Sequence, residues 1–376
     1  MRILLCILLF GIGQMPACFA QFGKGIALEP SVHIGRIIKH TSNITIGPYS
    51  NSYGIHLQVK FQTYGKKNWH RPNRYPYLGV NFLFHTLGNQ EQLGQAFGIL
   101  PNISIRLLDR QRTDIRFMVG TGVAVLSEHF DPIDNPENNA IGSTFNNVTG
   151  FRIGIEHQLQ QKWKLNTGIS FTHFSNGSVQ LPNFGLNIPA FYLGMSYTPR
   201  PVQPSEFNQL QESWQPEPVQ RRLGLSLHFG LAFREMLTFG GPRNPIYIAS
   251  IAGFYQLSPH NRLLLGVDYE FNRGVYKFGF DTFSFNNEKE ARQGARRIML
   301  FAADEILMGN LSILLQSGIY ISKKSFLKPG FWYNKLGARY YLPAFGRPKT
   351  RFYLGVYLKA HVITAEYISF GIGAAI

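Results

Sequence analysis

The feature of this sequence that most restricts its fold is a two-residue alternation of apolar and polar side chains, repeated in segment after segment. The segments run for about ten residues and are separated by clusters rich in Gly, Asn or Pro. Tyr53 to Tyr64, Ile115 to Ser127 and Val148 to Leu159 are examples. Successive side chains of a strand point to opposite faces, so each segment predicts a strand with one apolar face. Many such strands in series are typical of a transmembrane β-barrel.

The alternation predicts an all-β fold built from two sets of eight antiparallel strands. The first set is 30–40, 51–64, 76–87, 97–109, 114–128, 147–160, 162–175 and 187–198, and the second is 223–236, 246–257, 262–272, 294–307, 311–322, 331–342, 351–363 and 365–376. One alternative stays open, because Glu288 to Leu307 is also compatible with a helix.

The stretch between the two sets, residues 199–220, is rich in proline and predicts an extended periplasmic linker. An even-stranded barrel begins and ends on the periplasmic side, where the turns within one barrel are short. A long connection after the eighth strand therefore favours two eight-stranded barrels in tandem, residues 21–198 and 221–376, over one sixteen-stranded barrel. Side chains fill the interior of eight strands, so we expect neither barrel to be a pore.

The first twenty residues predict a secretory signal peptide. Arg2 is followed by an apolar run from Ile3 to Gly13 and by small residues that end at Ala20. Lipidation of Cys18 is the alternative, and the preceding Met15-Pro16-Ala17 disfavours it. No later stretch holds the roughly 18 apolar residues of a spanning helix. We therefore expect export to the outer membrane of a Gram-negative cell.

Composition and charge narrow the function classes. Charged residues make up 15% of the chain, against about 25% in typical domains, which argues against disorder and most cytosolic enzymes. Both cysteines, Cys6 and Cys18, lie in the leader, which excludes disulfide and thiolate chemistry from the rest. The net charge is +16, but the sequence has no run of basic residues and no recognition helix, so we do not expect nucleic acid as a binding partner. Anionic phosphates at a membrane surface are the expected partners.

The seventh segment carries the candidate catalytic residues. Its apolar face continues into His173 and Ser175, after Trp163, Leu165, Thr167, Ile169 and Phe171. The other face is polar and should fill the barrel. Odd-numbered strands run outward, and ten tilted residues rise on the order of 23 Å. We therefore expect His173 and Ser175 on the lipid-facing side, near the outer-leaflet rim.

A histidine two residues from a serine on one strand face can take the hydroxyl proton and create a nucleophile. Asn176 and the amide of Gly177 can hold the developing oxyanion. On these residues alone, a rim histidine followed by a Ser-Asn-Gly turn is the better explanation, because Ser-Asn-Gly is common at hairpins.

The wider motif is His173-Phe174-Ser175-Asn176-Gly177, followed by Pro182-Asn183-Phe184-Gly185. It resembles the lipid A 3-O-deacylase family, also called acyloxyacyl hydrolases, of Gram-negative outer membranes, over about residues 22–198. The match is specific at this motif and loose elsewhere. The resemblance implies an eight-stranded barrel that hydrolyses the ester of the 3-hydroxyacyl chain at position 3 of lipid A. It also implies that His173 is the general base, Ser175 the nucleophile and Asn176 an oxyanion contributor. By the same resemblance, we expect no metal and no cofactor.

The third residue of the site departs from the family, whose pattern has a Glu fourteen positions after the His. Here that position is Asn187, which alternates with Phe191 and Leu193 and so faces the same way as His173. An amide oxygen can orient the ring but cannot stabilise an imidazolium as a carboxylate does. The alternative acids lie in the loop before the sixth segment and are Asp131, Asp134 and Glu137. Glu156 is a poor substitute because its face should be the lumen.

The second half repeats part of the pattern, since Phe352 to Ile376 resembles the last two segments of the first half and carries His361. Alternation places His361 in the lumen, and no Ser-Asn pair follows it. We expect the second half to be a barrel without catalytic residues.

Three functions are compatible with the sequence. The first is an outer-membrane serine esterase that acts on lipid A of lipopolysaccharide in the outer leaflet. The second is an inactive barrel with a structural, adhesive or lipid-binding role, in which Asn187 marks lost activity. The third is a sixteen-stranded channel.

Overall fold

A computed structural model gives the fold and describes residues 23–47, 49–203, 205–207, 223–236, 239–322, 330–343, 350–361 and 364–376. The predicted signal peptide, residues 1–20, and most of the predicted linker lie outside the described residues. Within those ranges, no helix has the length and apolarity needed to cross a membrane.

Eight antiparallel strands form the first barrel, each paired with the next along the chain. They are β1 Ile26–Arg36, β2 Asn51–Gln62, β3 Tyr77–Thr86, β4 Gln95–Arg110, β5 Thr113–Leu126, β6 Phe145–Gln160, β7 Trp163–Ser175 and β8 Leu186–Tyr197. β1 also pairs with β8, from Leu28 opposite Tyr197 to Gly35 opposite Ala190, and this pairing closes the barrel.

The second barrel repeats this plan. Its strands are β9 Leu223–Glu235, β10 Arg243–Ser258, β11 Asn261–Asn272, β12 Arg296–Met308, β13 Leu311–Tyr320, β14 Trp332–Tyr341, β15 Arg351–His361 and β16 Thr364–Ala375. β16 pairs with β9 and closes it. The prediction of two eight-stranded barrels is confirmed, and the single sixteen-stranded alternative is wrong.

The alternation of the sequence becomes an apolar outside and a polar inside. Ile169 of β7 and Phe191 of β8 are among the exposed outward side chains, as expected of a surface that meets lipid. Inside the first barrel, Lys60 Nζ lies 2.6 Å from Glu29 and 2.7 Å from Glu156, which confirms that Glu156 faces the lumen. Paired charges fill the interior, so the lumen at this level is packed rather than open.

The extracellular half of the first barrel holds an apolar cluster instead. It consists of Ile37, Ile44, Ile46, Leu83, Leu87, Leu93, Ala96, Leu100, Ala124, Leu126, Ala140, Ile141, Val148, Phe174, Leu186 and Ile188. Phe174 at the end of β7 and Leu186 and Ile188 at the start of β8 point into this cluster. Because side chains alternate along a strand, His173, Ser175 and Asn187 lie on the opposite, outward face.

The lumen of the second barrel contains His361, as predicted. This side chain is buried, with Nε2 2.8 Å from a carboxylate oxygen of Glu366 and Nδ1 3.0 Å from the carbonyl oxygen of Trp332. These contacts are those of a structural residue in the packed interior of the second barrel.

The structure differs from the predicted elements mainly at β1 and before β12. β1 runs over Ile26–Arg36 rather than 30–40. Pro30 lies inside this strand, at the point where the pairing with β8 is interrupted. Two helices, α1 Arg273–Asp281 and α2 Glu288–Ala295, connect β11 to β12. The asparagines before them accept hydrogen bonds from Val275 and Glu290 and cap the helices. The open alternative at 288–307 therefore resolves into a helix followed by a strand.

The two barrels contact each other. Near the periplasmic end, Trp69, Ile103 and Met308 form a buried cluster between the first barrel and the second. Ile103 is an outward residue of β4, yet it is 5% exposed because the second barrel covers it. The barrels also meet at the extracellular end, next to the loop that follows β7.

Candidate active site

The hairpin of β7 and β8 places the candidate residues at the extracellular rim. His173 and Asn187 are direct partners in the strand pairing, so their side chains lie side by side on the outward face. Nδ1 of His173 is 2.6 Å from Oδ1 of Asn187. An amide oxygen only accepts, so the imidazole donates this hydrogen bond and carries its proton on Nδ1.

A second histidine contacts the other end of the same amide. Nδ2 of Asn187 lies 2.9 Å from Nδ1 of His40, and the backbone carbonyl oxygen of Asn187 accepts a hydrogen bond from the N–H of Ile38 at 3.0 Å. An amide nitrogen only donates, so Nδ1 of His40 accepts and must be unprotonated. Burial lowers the pKa of His40, and a backbone contact with Phe184 partly opposes this effect. His40 therefore favours the amide orientation that turns Oδ1 toward His173.

Ser175 is 4% exposed, and its hydroxyl oxygen accepts two hydrogen bonds. Nδ2 of Asn183 donates at 2.9 Å and the N–H of Gly177 at 3.2 Å. Two donors on one oxygen favour negative charge there and leave the hydroxyl proton free to be given away.

The structure places His173 and Ser175 on the same face of β7 but does not join them. Among the described residues, no hydrogen bond connects the imidazole to the hydroxyl. Catalytic hydrogen bonds are often long or poorly aligned without substrate and shorten in the complex.

The two predicted oxyanion contributors have their N–H groups in use within the loop. Nδ2 of Asn176 donates to Ser143 Oγ at 2.9 Å and to the carbonyl of Gln180 at 2.8 Å. Its backbone N–H donates to Asn183, and that of Gly177 to Ser175. Stabilising an oxyanion with these groups requires a change of hydrogen-bond partner on substrate binding.

The three alternative acids lie apart from His173. Asp131 accepts the N–H groups of Asp134 and Ile133, which lower its pKa, and the Glu137 carboxylate contacts the side chain of Gln92. In the described part of the chain, none of Asp131, Asp134 and Glu137 forms a hydrogen bond or ion pair with His173. Their role as the acid stays a prediction without a contact to support it.

The loop that carries these acids packs on the β7–β8 loop. The N–H of Gly185 donates to the carbonyl of Ala140 at 2.8 Å. A Cβ atom on Gly142 would lie 2.4 Å from the carbonyl oxygen of Pro182, a separation that only glycine permits. The loop after β5 therefore forms one wall of the site.

Two family models match the chain. The model for lipid A 3-O-deacylase (PagL) matches residues 53–196, and the model for the C-terminal domain of acyloxyacyl hydrolase matches residues 216–376. The chain belongs to the acyloxyacyl hydrolase family. Both barrels have a counterpart in the family, and the family and the β-barrel fold indicate an outer-membrane location.

Solved outer-membrane proteins resemble parts of the chain. The outer membrane enzyme PagL has 13% identity and a TM-score of 0.33, with 44% of this chain and 97% of that chain covered. Neisserial surface protein A has 7% identity and the same TM-score, with 46% and 97% covered. No curated protein matches the chain. Membership of the family therefore rests on the two family models.

Reasoning from the acyloxyacyl hydrolase motif missed two residues of the site. His40 lies in the loop after β1, where neither spacing nor alternation points to it. Asn183 belongs to the motif, but its two contacts with Ser175 and Asn176 depend on how the loop folds back. No group of three or more His, Cys, Asp or Glu side chains in the described ranges is arranged to hold a metal.

Proposed function

We propose that this chain is an outer-membrane serine esterase that removes an ester-linked 3-hydroxyacyl chain from lipid A. The observation that carries the proposal is the hydrogen bond from His173 to Asn187, next to Ser175 on the lipid-facing rim. An outward site at this height suits a substrate whose ester bonds lie at the outer-leaflet surface.

The reaction begins with proton transfer from Ser175 to His173. The His173 proton on Nδ1 is bonded to Asn187, which leaves the Nε2 lone pair to accept the hydroxyl proton. The Ser175 oxygen then bonds to the ester carbonyl carbon, and the carbonyl oxygen takes the negative charge. His173 returns the proton to the sugar oxygen as the ester bond breaks. Water, activated by the same histidine, releases the hydroxy acid from Ser175.

The acyl chain has a place on the outer face of the barrel. A groove below the site is lined mainly by apolar side chains, among them Ile34, Ile38, Ile169, Phe171 and Phe191. A chain lying there replaces lipid contacts with protein contacts, so binding can proceed by lateral diffusion within the leaflet.

Two exposed cations flank Ile38, which is bridged to Asn187. We expect Arg36 and Lys39 to attract the phosphates of lipid A. Arg36→Glu combined with Lys39→Glu should raise KM by about three- to tenfold with little change in kcat, and high salt should shrink the difference. The charge-reversal Arg110→Glu with Arg112→Glu, at the periplasmic end, is the control, and an equal KM for both pairs would contradict this role.

Gly185 supports His173 by its lack of a side chain. Its φ is +80°, and a Cβ atom there would lie 2.8 Å from Cε1 of His173. Gly185→Ala should displace the imidazole and lower kcat by about tenfold or more, with the barrel still assembled. Gly240 has a φ of +70° with no atom within 4 Å of a Cβ, so Gly240→Ala reproduces the backbone strain alone. Equal rates for the two variants would show that the contact with His173 is irrelevant.

The proposed function is tested on lipid A itself. Production of the full chain in a Gram-negative host without its own deacylase, followed by mass spectrometry of the extracted lipid A, should show loss of one 3-hydroxyacyl chain. The same hydroxy acid should appear free. Unchanged lipid A in the presence of assembled protein would favour the inactive barrel with a structural, adhesive or lipid-binding role.

A further inference from the structure

The loop between β7 and β8, residues 176–185, contacts the second barrel as well as the first. Glu235, the last residue of β9, accepts the N–H of Leu181 with its carboxylate. Its own N–H donates to the carbonyl of Ser178 at 3.1 Å. One residue of the second barrel therefore holds the loop at two points.

Other residues of the second barrel extend this contact. Arg243, which is opposite Glu235 in the β9–β10 pairing, donates to the side-chain oxygen of Gln180 at 2.8 Å. Ile368 of β16 packs on Gly177 so closely that a Cβ atom there would lie 3.0 Å from its Cγ1. The tip of the loop is thus enclosed by β9, β10 and β16.

Glu235 itself is 2% exposed and forms no ion pair in the described part of the chain. Burial of a carboxylate is unfavourable unless hydrogen bonds compensate it. The described donor to this carboxylate is the Leu181 N–H, which belongs to the other barrel. A neutral side chain at the end of β9 would avoid the free-energy cost of burying a charge. The buried carboxylate is therefore better explained by its hydrogen bond to the loop than by the packing of the second barrel.

The segment bound by Glu235, residues 178–181, is connected to the surroundings of Ser175 by short-range contacts. The carbonyl of Gln180, between Ser178 and Leu181, accepts the side chain of Asn176 at 2.8 Å. Asn183, two residues after Leu181, donates to Ser175 Oγ at 2.9 Å. If this segment became more mobile, Asn176 and Asn183 would move relative to Ser175. Displacements of about 1 Å in an active site can lower the rate about a hundredfold.

We propose that Glu235 is a positioning residue for the first barrel's catalytic loop, so that the esterase site is complete only when the second barrel is present. This inference rests on the proposed function. It gives the second barrel a task that needs no catalytic residue of its own.

The test uses the full chain in lipid-containing mixed micelles. Glu235→Ala removes the acceptor, Glu235→Gln keeps an oxygen for Leu181, and Glu288→Ala on exposed α2 is the matched control. For Glu235→Ala we expect kcat to fall by about ten- to a hundredfold, with KM changed less than threefold. Hydrogen exchange should quicken in residues 178–185, and heat-modifiable migration should show that both barrels are assembled. Glu235→Gln should recover most of kcat, and the control should match the parent chain.

The outcomes separate this inference from the proposed function. Parental kcat in Glu235→Ala, or unchanged exchange in the loop, would overturn the positioning role and leave the esterase intact. The positioning role would also be contradicted if kcat of Glu235→Gln were as low as that of Glu235→Ala. The loss of the hydrogen bond to Leu181 would then not be the cause of the lower kcat. A parent chain that releases no hydroxy acid would refute the proposed function, and the positioning role with it.

Discussion

Ser175→Ala and His173→Ala should each reduce release of the 3-hydroxyacyl chain by about 10⁴-fold or more, to the background rate. In the proposed reaction, Ser175 supplies the oxygen that bonds to the ester carbon, and His173 is the base that takes its proton. Ser175→Ala therefore removes the proposed nucleophile, and His173→Ala removes the proposed base. The measurement is mass spectrometry of lipid A after incubation with each purified variant in mixed micelles.

Matched controls separate lost chemistry from lost structure. Ser317→Ala changes an exposed serine on the outward face of β13, and His157→Ala changes an exposed histidine at the periplasmic end of β6. Both should deacylate at the parental rate, and all four variants should show heat-modifiable migration. Persistent deacylation by Ser175→Ala or His173→Ala would end the catalytic assignment of that residue.

The fold was largely predictable because a barrel in a membrane repeats one simple constraint. Every strand must present apolar side chains to lipid and polar ones to the interior, so alternation marks the strands, and the proline-rich stretch marks where one barrel ends. Closure follows from the need to pair every edge. Helix α1 escaped prediction, and α2 was anticipated only as part of a longer helical alternative at 288–307, because both helices lie outside the barrel wall, where no alternation is imposed.

The outward positions of the site were also predictable, for the same reason. Phe174 on one side and Leu186 and Ile188 on the other are apolar residues on the inward face, and they bury themselves in the extracellular apolar cluster. That packing turns His173, Ser175 and Asn187 outward together. The hydrogen bond between His173 and Asn187 then needs only the hairpin register.

The contacts made by loops could not be predicted from alternation. His40, Asn183 and Glu235 reach the site from three separate segments, and each contact depends on how a loop folds back over the rim. Glu235 is the most distant in sequence, since it belongs to the other barrel. Nothing in the spacing of the residues places it beside Leu181, because the relative placement of two barrels leaves no periodic pattern.

The last prediction concerns Asn187, where the chain departs from its family. Asn187→Ala removes the acceptor for His173 and the donor for His40, so kcat should fall by about ten- to a hundredfold. Asn334→Ala, on the second barrel, is the control and should have no effect. Asp131→Asn, Asp134→Asn and Glu137→Gln should also leave the rate unchanged, because these acids make no described contact with His173. A severe loss in one of the three would transfer the role of the acid to that residue.

Asn187→Glu introduces the Glu that the family resemblance implies at this position and tests whether a carboxylate supports His173 better than the amide does. A carboxylate would stabilise the imidazolium formed in the proposed attack by Ser175, and in a Ser-His-Asp triad of an unrelated fold the change from Asp to Asn costs about 10⁴-fold in rate. The gain here should be far smaller, because Asn187 also donates to His40 and a carboxylate has no proton to give. His40 must then become a donor, which requires its other tautomer or its protonated form. A carboxylate neighbour raises the pKa of a histidine, whereas burial lowers that of His40 in the present chain.

The parent chain and Asn187→Glu should therefore respond differently to protonation of His40. In the parent chain, protonation of His40 places a donor against the Asn187 amide nitrogen and favours the flipped amide, which turns Nδ2 toward His173. His173 must then accept with Nδ1 and carry its proton on Nε2, where it cannot take the proton of Ser175. Activity should fall as pH drops through the pKa of His40, below its usual value. In Asn187→Glu, a protonated His40 becomes a partner of the carboxylate and no amide can flip, so the loss of kcat that follows protonation of His40 should be absent. His40→Phe, whose side chain cannot titrate, should remove this difference in pH dependence between the parent and Asn187→Glu.

The experiment measures rates of deacylation from pH 4 to pH 8 for four chains: the parent, Asn187→Glu, and each of these combined with His40→Phe. Identical pH profiles for all four would show that His40 does not control the orientation of the Asn187 amide.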